Sequence, residues 1–366
     1  MKVAVVRNRK GLGVIHRFGQ PSPETYGRRS VQRIMDALRA CGHTVAVFEG
    51  DMTLLEDLRA FVGDSEPDER PRAMVFNMAY GIQGQARYAH VPAMLEMAGM
   101  PYTGADPLGQ AVSLDKVVAK ALMQAAGVPT PAFTVLGPDG GEASELRYPL
   151  IVKPRHESTS YGLRVVRGPT ELADAVEDVV TRYQQEALVE EFVDGREFCV
   201  GLLGNGQPEI LPVVELDFAG RDLPAMTWED KYHKREDEPE KICPADIPEA
   251  LARDLRDMSL ATFRACHCKD YARVDIRVDA VGRPYVLEIN SMASLGSGGS
   301  YVLSARHAGH DFASLVGRIV DVAHIRYFGA AAPREVSPSA AVAPPPRPRT
   351  EARRNRRTTS KSSQGG

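Results

Sequence analysis

Two neighbouring segments, Tyr271–Asp279 and Arg283–Asn290, carry acidic residues at spacings that could gather a cation. In the first, Ala272, Val274, Ile276 and Val278 alternate with Arg273, Asp275, Arg277 and Asp279, the period of two of a strand with one polar face. In the second, Tyr285, Leu287 and Ile289 alternate with Val286, Glu288 and Asn290. A tight turn at Val281–Gly282 sets Asp275 opposite Glu288 and Arg273 opposite Asn290. Facing carboxylates destabilise a ladder unless a positive charge sits between them. An all-oxygen set of Asp275, Glu288 and Asn290 suits a hard divalent ion such as Mg²⁺ carrying a phosphorylated substrate. Charged strand faces are also common, and Arg273 or Arg277 could neutralise these acids instead. Spacing alone leaves both readings open.

A second signal is a lysine in an awkward place. Lys153 follows the apolar run PLIV and is pinned by Pro154; a lysine on a buried strand usually needs an anionic partner. The segment RHESTSYG, Arg155–Gly162, comes next, rich in hydroxyls and ending in glycine. It could donate to phosphate oxygens and close as a lid, or be an ordinary hairpin loop. GxxxxGK[ST], GxGxxG after a strand, and the kinase HRD/DFG set do not occur, which excludes those nucleotide-binding classes. His307 and His310 lack a nearby third ligand and read as surface residues. Cys266 and Cys268 have poor zinc spacing and read as one buried and one exposed thiol. Trp228, in the polar stretch TWEDKYHKRED, is expected on a loop near a site.

These side chains need a scaffold, and the first third of the chain supplies a regular one. Lys2–Val6, Thr44–Phe48 and Ala73–Asn77 read as strands, separated by helices at Arg28–Cys41 and Thr53–Val62. This βαβαβ order predicts an open parallel sheet, with ligands beyond the carboxyl ends of its strands. The loops Arg7–Arg29 and Met78–Tyr88 fall there. A helix at Asp115–Ala126 ends at Gly127, and strand-like chain runs from Ala132 to Arg167. A helix over Pro169–Tyr183 leads to the strand Ala187–Phe192. Strands at Arg196–Leu203 and Glu209–Glu215, helices at Pro248–Ala265 and Asp311–Tyr327, and the acidic pair of strands complete the body.

The chain has 366 residues, 43% hydrophobic and 25% charged, enough for two or three domains with sizeable cores. No stretch approaches the roughly 20 apolar residues of a membrane span, and MKVAVVRNRKGLG is too briefly apolar for a signal peptide. Five cysteines without a CxxC pair point to a reducing cytoplasm. Residues 331–366 hold seven Arg and one Lys against two Glu, a formal +6, so the net −3 of the whole chain leaves −9 for residues 1–330. An acidic body argues against a nucleic-acid-binding core. The tail, with PPPRPR and RRNRR, has too few apolar residues to fold and is expected to be disordered; its partner is open.

In this order the motifs resemble those of the D-alanine–D-alanine ligase family of the ATP-grasp superfamily. The resemblance runs from Met1 to about Phe328, through PYTGADPL…LDKVVAK, GVPTP, YPLIVKP, ALVEEFVDGREFCVGLLG, LPVVE, KY…CPA and YARVDIRVD…PYVLEIN. It implies an α/β ATP-grasp fold: an N-terminal pre-ATP-grasp parallel-sheet domain over 1–113, a central subdomain with a lid loop over 114–195, and a C-terminal subdomain over 196–330. ATP would lie between the last two. By position, Lys116 and Lys153 match the phosphate lysines, and Thr159 and Ser160 the phosphate-covering loop. Glu190, Glu191, Phe192 and Val193 match the strand edge that reads adenine, and Glu197 the acid on the ribose. Asp275, Glu288 and Asn290 match the ligands of Mg²⁺, with Mn²⁺ as an alternative ion. Arg273 matches the arginine that steadies the tetrahedral intermediate. Lys231 matches a loop lysine near the γ-phosphate, with Tyr232 closing beside it. Ser300 and Tyr301 stand where the acceptor carboxylate is held. The implied reaction converts a carboxylate to an acylphosphate that an amine then attacks, joining two amino acids; the family also suggests a homodimer.

The departures cluster near the amino-acid site. Tyr80–Gly81 replaces the family's His-Gly, Ala293–Ser294 its Pro-Gly after the asparagine, and Ser158 a glycine. The glycine-rich first loop with its substrate-binding Glu gives way to the basic segment Arg7–Arg29, where Glu24 or Ser30 could substitute. These departures bear on the choice of D-alanine far more than on the use of ATP, and D-alanine remains the best single expectation for the substrates. An ATP-grasp ligase for other amino acids, and a nucleotide-binding regulator without turnover, are the competing readings.

Overall fold

The computed structural model describes residues 1–9, 14–18, 24–63, 71–138, 143–221, 224–225 and 239–329. Lys231, Tyr232, Trp228 and the 331–366 tail lie outside the described residues. Three sheets organise what is described. The first holds β1 (Lys2–Arg7), β2 (Thr44–Glu49) and β3 (Ala73–Met78), all parallel in the order β2-β1-β3. Val3, Ala4, Val5 and Val6 of the central strand are all buried, because crossover helices cover both faces of a parallel sheet. Those helices are α1 (Arg28–Ala40) and α2 (Leu54–Val62). Val31, Ile34, Met35 and Leu38 of α1 recur at helical spacing and form one buried stripe.

Helices α3 (His90–Met97) and α4 (Pro107–Leu114) precede α5 (Lys116–Ala125). The second sheet is antiparallel, β4 (Phe133–Leu136), β7 (Ala187–Glu191), β5 (Leu150–Pro154) and β6 (Arg164–Val166) in that order, with α6 (Pro169–Asp178) packed on it. The expected helix to Tyr183 ends in a wider π-type turn over Val179–Tyr183. The third sheet takes β8 (Gly195–Leu203), the short β9 (Glu209–Ile210), β10 (Val214–Asp217), β11 (Glu240–Ile242), β12 (Tyr271–Asp279) and β13 (Pro284–Asn290), backed by α7 (Glu249–Ala265). Helices α8 (Ser300–His307) and α9 (Phe312–Phe328) return the chain to α1 and the first sheet. The strand expected over Glu209–Glu215 is broken at Leu211–Val213, around Pro212, which lacks an amide for the ladder. Helices α3, α4 and α8 escaped the sequence reading: each is eight residues long and has little amphipathic contrast. Cys266 and Cys268 are both buried, which corrects the expectation of one exposed thiol; burial pushes the Cys266 thiol up to about 12. Among the described residues no helix is long and apolar enough to cross a membrane.

One carboxylate ties these parts together. Asp270, fully buried and in the left-handed region (φ 66°), accepts from the Gly104 amide at 2.8 Å and from Asn205 Nδ2 at 2.7 Å. Arg326 of α9 grips it with Nε at 3.0 Å and Nη2 at 2.8 Å, and also donates to the Tyr102 carbonyl at 2.9 Å. Replacing Asp270 by Ala strands this guanidinium, so a loss of about 3–5 kcal/mol is expected. Denaturant unfolding of Asp270→Ala against the parent protein measures it; an unchanged midpoint would show that the network is dispensable.

Candidate active site

A cleft of about 590 Å³ is lined by side chains of the second and third sheets and by residues that follow strands of the first, among them Tyr26, Ser30 and Tyr80. Its phosphate-binding candidates are set by local sequence. Asp115 caps α5, accepting from the amides of Val117 and Val118 at 3.0 and 3.1 Å, so Lys116 occupies the first helical position. Lys116 Nζ donates to the Glu157 carbonyl, and Lys153 Nζ reaches Glu190 Oε1. Both lysines line the cleft and both are buried. The anionic partner expected for Lys153 is thus Glu190. Its second oxygen lies 2.9 Å from Lys120 Nζ, which also donates to Thr130 Oγ1 at 2.6 Å. Thr130 in turn donates to the Val286 carbonyl at 2.8 Å. Lys120 had no role in the sequence reading. Its position one helical turn after Lys116 was the signal, because residues four apart share a helix face.

Burial dominates these charges. It lowers Lys116, a trend that Glu288 opposes and Lys153 reinforces, and it lowers Lys120 against the pull of Glu190. Burial also works to raise Glu190, but Lys120 and Lys153 outweigh it and hold the carboxyl below its ordinary range. Two ammonium groups on one carboxylate leave a surplus positive charge at the cleft wall.

The loop after β5 joins it to the antiparallel β6, as a hairpin loop does. It also lines the cleft with Ser158, Thr159 and Ser160. Thr159 and Ser160 adopt φ of 56° and 59°, a region costly for non-glycine residues and frequent where function demands it. Gly162 closes the loop at φ +77°, where a Cβ would come within 2.8 Å of Pro154 and Tyr183. On the adjoining wall, the amides of Glu191 and Phe192 bond the carbonyls of Ala132 and Pro149 at 2.9 and 3.0 Å. The Glu191 side chain pairs with Arg147. Val193 lines the cleft beside them. Arg277 Nη1 donates to Glu197 at 3.0 Å, with its guanidinium 4.8 Å above the Phe192 ring.

On the acidic pair of strands, Asp275 does lie opposite Glu288 and Arg273 opposite Asn290. The one-to-one register stops there. Ile276 pairs with Val286, leaving Leu287 as an extra residue in a β-bulge. The bulge turns Leu287 to the cleft and leaves Val286 and Ile289 as the buried apolar residues of β13. Arg273 grips Asp275 through Nε and Nη2, each at 2.6 Å, and Asn290 Nδ2 donates to Asp275 at 3.0 Å. Burial opposes the Arg273 charge, but Asp275 more than compensates and raises it above an ordinary arginine. The two neutralising arginines divide their work: Arg273 serves Asp275 and Arg277 serves Glu197. Among the described residues no group of three His, Cys, Asp or Glu side chains could hold a metal ion. Asp275, Glu288 and Asn290 instead offer two carboxylates and an amide on neighbouring rungs in one cleft. That hard-oxygen donor chemistry fits a divalent ion bound jointly with phosphate.

The same cleft is also lined by Glu24, Tyr26, Ser30, Tyr80 and Tyr88. Tyr26 and Tyr80 stack with centroids 5.3 Å apart and planes inclined by 14°. Tyr88 donates to Glu24. Burial raises the Glu24 carboxyl against the pull of Ser158, Tyr88 and Arg87, and pushes the Tyr80 and Tyr88 hydroxyls well above their usual range. Ser300 lines the same cleft, but Tyr301 does not. Its ring is 1% exposed, packs on Tyr271 in the core, and its hydroxyl donates to the Leu202 carbonyl at 3.1 Å. Successive residues of the first turn of α8 face different ways, which corrects the pairing of Ser300 with Tyr301 as cleft residues. Cys199, a further cleft residue, is held as a thiol by burial.

Glu190→Gln removes the counter-charge of two buried ammonium groups, and a loss of about 3–5 kcal/mol is expected near neutral pH. Because the native carboxyl is lowered, its contribution is present above the unfolded value near 4.5 and disappears as pH falls through the lower native value. Thermal melts of parent and variant from pH 7 to pH 3 should therefore converge in acid. A gap that stays constant would show that Glu190 acts through packing alone.

The family model described as the D-ala D-ala ligase C-terminus matches residues 122–321. An uncharacterized protein of Sinorhizobium fredii, y4sG, is 51% identical over 333 residues, spanning 90% of this chain and 98% of its own. The D-alanine–D-alanine ligase of Bordetella petrii is 31% identical over 311 residues, spanning 81% of this chain and 90% of its own. Among solved structures, the Bacillus anthracis D-alanine–D-alanine ligase complexed with ATP superposes at a TM-score of 0.69. It is 21% identical, and the match covers 89% of this chain and 99% of that one. The Coxiella burnetii enzyme gives 0.68 at 22% identity, over 89% and 94%. At such identities the structural match speaks for the fold, which is ATP-grasp, while the family model and the sequence relatives speak for kinship. The chain belongs to the D-alanine–D-alanine ligase family.

Proposed function

We propose that this chain is an ATP-dependent ligase that joins two amino acids through an acylphosphate, with D-alanine for both as the first pair to test. The observation that carries the reading is the convergence on one cleft of Lys116 and Lys153, the oxygen set Asp275–Glu288–Asn290, and Arg273. In this reading Lys116 and Lys153 bind the phosphates of ATP, and Thr159 and Ser160 cover them. Glu190–Val193 meets the adenine and Glu197 the ribose. Asp275, Glu288 and Asn290 would hold Mg²⁺ or Mn²⁺, which when bound neutralises charge on the transferring phosphoryl group. Lys231 and Tyr232 complete the cover over the γ-phosphate.

A carboxylate resists attack by an amine, so its oxygen first takes the γ-phosphoryl group and ADP leaves. The incoming amine then attacks the acyl carbon. Arg273, held in place by Asp275, stabilises the oxyanion before phosphate departs. Ser300 binds the acceptor carboxylate. The division at 113/114 and 195/196, a homodimer, and a cytoplasmic setting belong to the same proposal. The three separate sheets support the first, and the absence of disulfides among the five cysteines supports the last.

A second reading keeps the chemistry and changes the amino acids. The stacked Tyr26–Tyr80 pair and the buried Glu24 favour it, since they stand at the end of the cleft where the family's usual residues are replaced. A panel of D- and L-amino acids with Mg-ATP, scored for ADP and for product mass, separates the two. ADP release that depends on an amino acid and matches a dipeptide is expected. ATP binding without turnover across the panel would leave a non-catalytic nucleotide-binding protein. With the active pair, Lys153→Met and Glu288→Gln are each expected to lower kcat about 10²-fold or more; wild-type turnover in either variant would remove the phosphate and metal roles.

A further inference from the structure

The amino-acid end of the cleft and the phosphate loop are joined by a residue that lines neither. Arg87 lies in a short 3₁₀ turn, Arg87–Ala89, of the N-terminal part, and is 3% exposed. Its Nη1 donates to the His156 carbonyl at 2.8 Å and its Nη2 to Glu157 Oε2 at 3.0 Å. The same Nη2 lies 3.9 Å from Glu24 Oε2. Glu24 in turn accepts from Tyr88, the next residue in the chain. One guanidinium fork thus spans the backbone of the phosphate loop, its acidic side chain, and the buried carboxyl at the amino-acid end.

The rest of the loop base is tied within its own region. Gln185 Nε2 donates to Glu157 Oε1 at 2.8 Å, and the His156 amide donates to Gln185 Oε1 at 2.8 Å. Arg155 and His156 both reach Asp115. Arg87 fastens this base to the segment carrying Tyr80 and Tyr88, beside the contacts that Glu24 and Tyr88 make with Ser158 further along the loop. Without it, Glu24 and Glu157 would face each other in a buried space with no guanidinium between them, a repulsion relieved by moving apart. Gly81 makes room for the arrangement. At φ +75°, a Cβ there would come within 2.1 Å of the Arg87 carbonyl oxygen.

We infer that Arg87 is a positioning residue that couples the amino-acid end of the cleft to closure of the 156–162 loop, so that the acylphosphate meets the amine and not water. This rests on the ligase reading above. The leak that it prevents is simple hydrolysis. Water oxygen bonds to the acyl carbon, the bond from that carbon to the phosphate oxygen breaks, phosphate leaves, and the free carboxylic acid returns with loss of a proton. Energy from ATP is then spent without a peptide bond.

The test compares phosphate released with dipeptide formed, in the same tube, for the full-length parent, Arg87→Met, Arg87→Lys and Glu157→Gln. Near-equal amounts are expected for the parent. In Arg87→Met the ratio of phosphate to dipeptide should rise several-fold while kcat/KM for dipeptide synthesis falls about 10–100-fold. Arg87→Lys keeps the charge but not the planar fork and should lie between. Glu157→Gln should also leak, less strongly. A structural role alone would lower the active fraction, cutting phosphate and dipeptide together. An unchanged ratio in the folded variants would therefore overturn the inference. Should Arg87→Met fail to fold, the lysine and glutamine variants carry the same comparison. If the parent itself makes no amide with any amino acid, the ligase reading fails, a result distinct from a coupled parent whose variants stay coupled.

Discussion

Two ammonium groups share one buried carboxylate at the centre of this molecule, and the geometry of the cleft depends on that imbalance. Lys120 and Lys153 both lean on Glu190, which comes from a third element, β7. A single buried Lys–Glu pair would cancel and gain little over an apolar pair. Adding the second lysine holds Glu190 ionised and leaves positive charge directed at the cleft. An anion with several charged oxygens is the natural complement. The cost of burying these groups is offset within the fold by Thr130, which carries the network on to the Val286 carbonyl of β13. The lysine-bearing and acid-bearing walls are therefore connected through Thr130.

The acid-bearing wall uses the opposite arrangement. Asp275 is held bidentately by Arg273, so a carboxylate that would repel Glu288 across the ladder is neutralised by its own strand neighbour two residues earlier. The bulge at Leu287 sits at this rung. It bends β13 just where Glu288 and Asn290 must turn toward the cleft, a common use of an extra strand residue near a reaction centre. The side of the cleft that holds Glu24 carries its own balance. Glu24 is kept in a buried space by a tyrosine hydroxyl and by Arg87, and the same arginine reaches the loop that would cover phosphate.

Much of the site could be seen in the sequence because its residues break local rules. Lys153 interrupts a buried strand, Asp275 faces Glu288 on a ladder, and hydroxyls crowd a loop after Pro154. Each is costly unless something answers it, and the structure supplies Glu190, Arg273 and the strained Thr159–Ser160 turn. Lys120 was harder to see. A lysine on a helix is ordinary in sequence; its spacing of four from Lys116 is the one local signal, and its burial is what makes it unusual. Tyr301 misled for the reverse reason. It adjoins Ser300 in a motif, but the helical turn sends the two side chains to different places. Short helices such as α3, α4 and α8 were missed because eight residues give too little periodicity to read.

From residues alone came the βαβαβ start, the pairing of Asp275 with Glu288, the need of Lys153 for an anion, and the family kinship. These are local or nearest-neighbour properties, fixed by side-chain periodicity, turn chemistry and the cost of isolated charge. The tertiary structure decided which charges meet. Glu190 lies 37 residues from Lys153, Arg87 lies 70 from Glu157, and Arg277 lies 80 from Glu197. No spacing rule reaches that far. Burial raises the energy of every unpaired charge, and only the packed chain determines which partner is within reach to lower it.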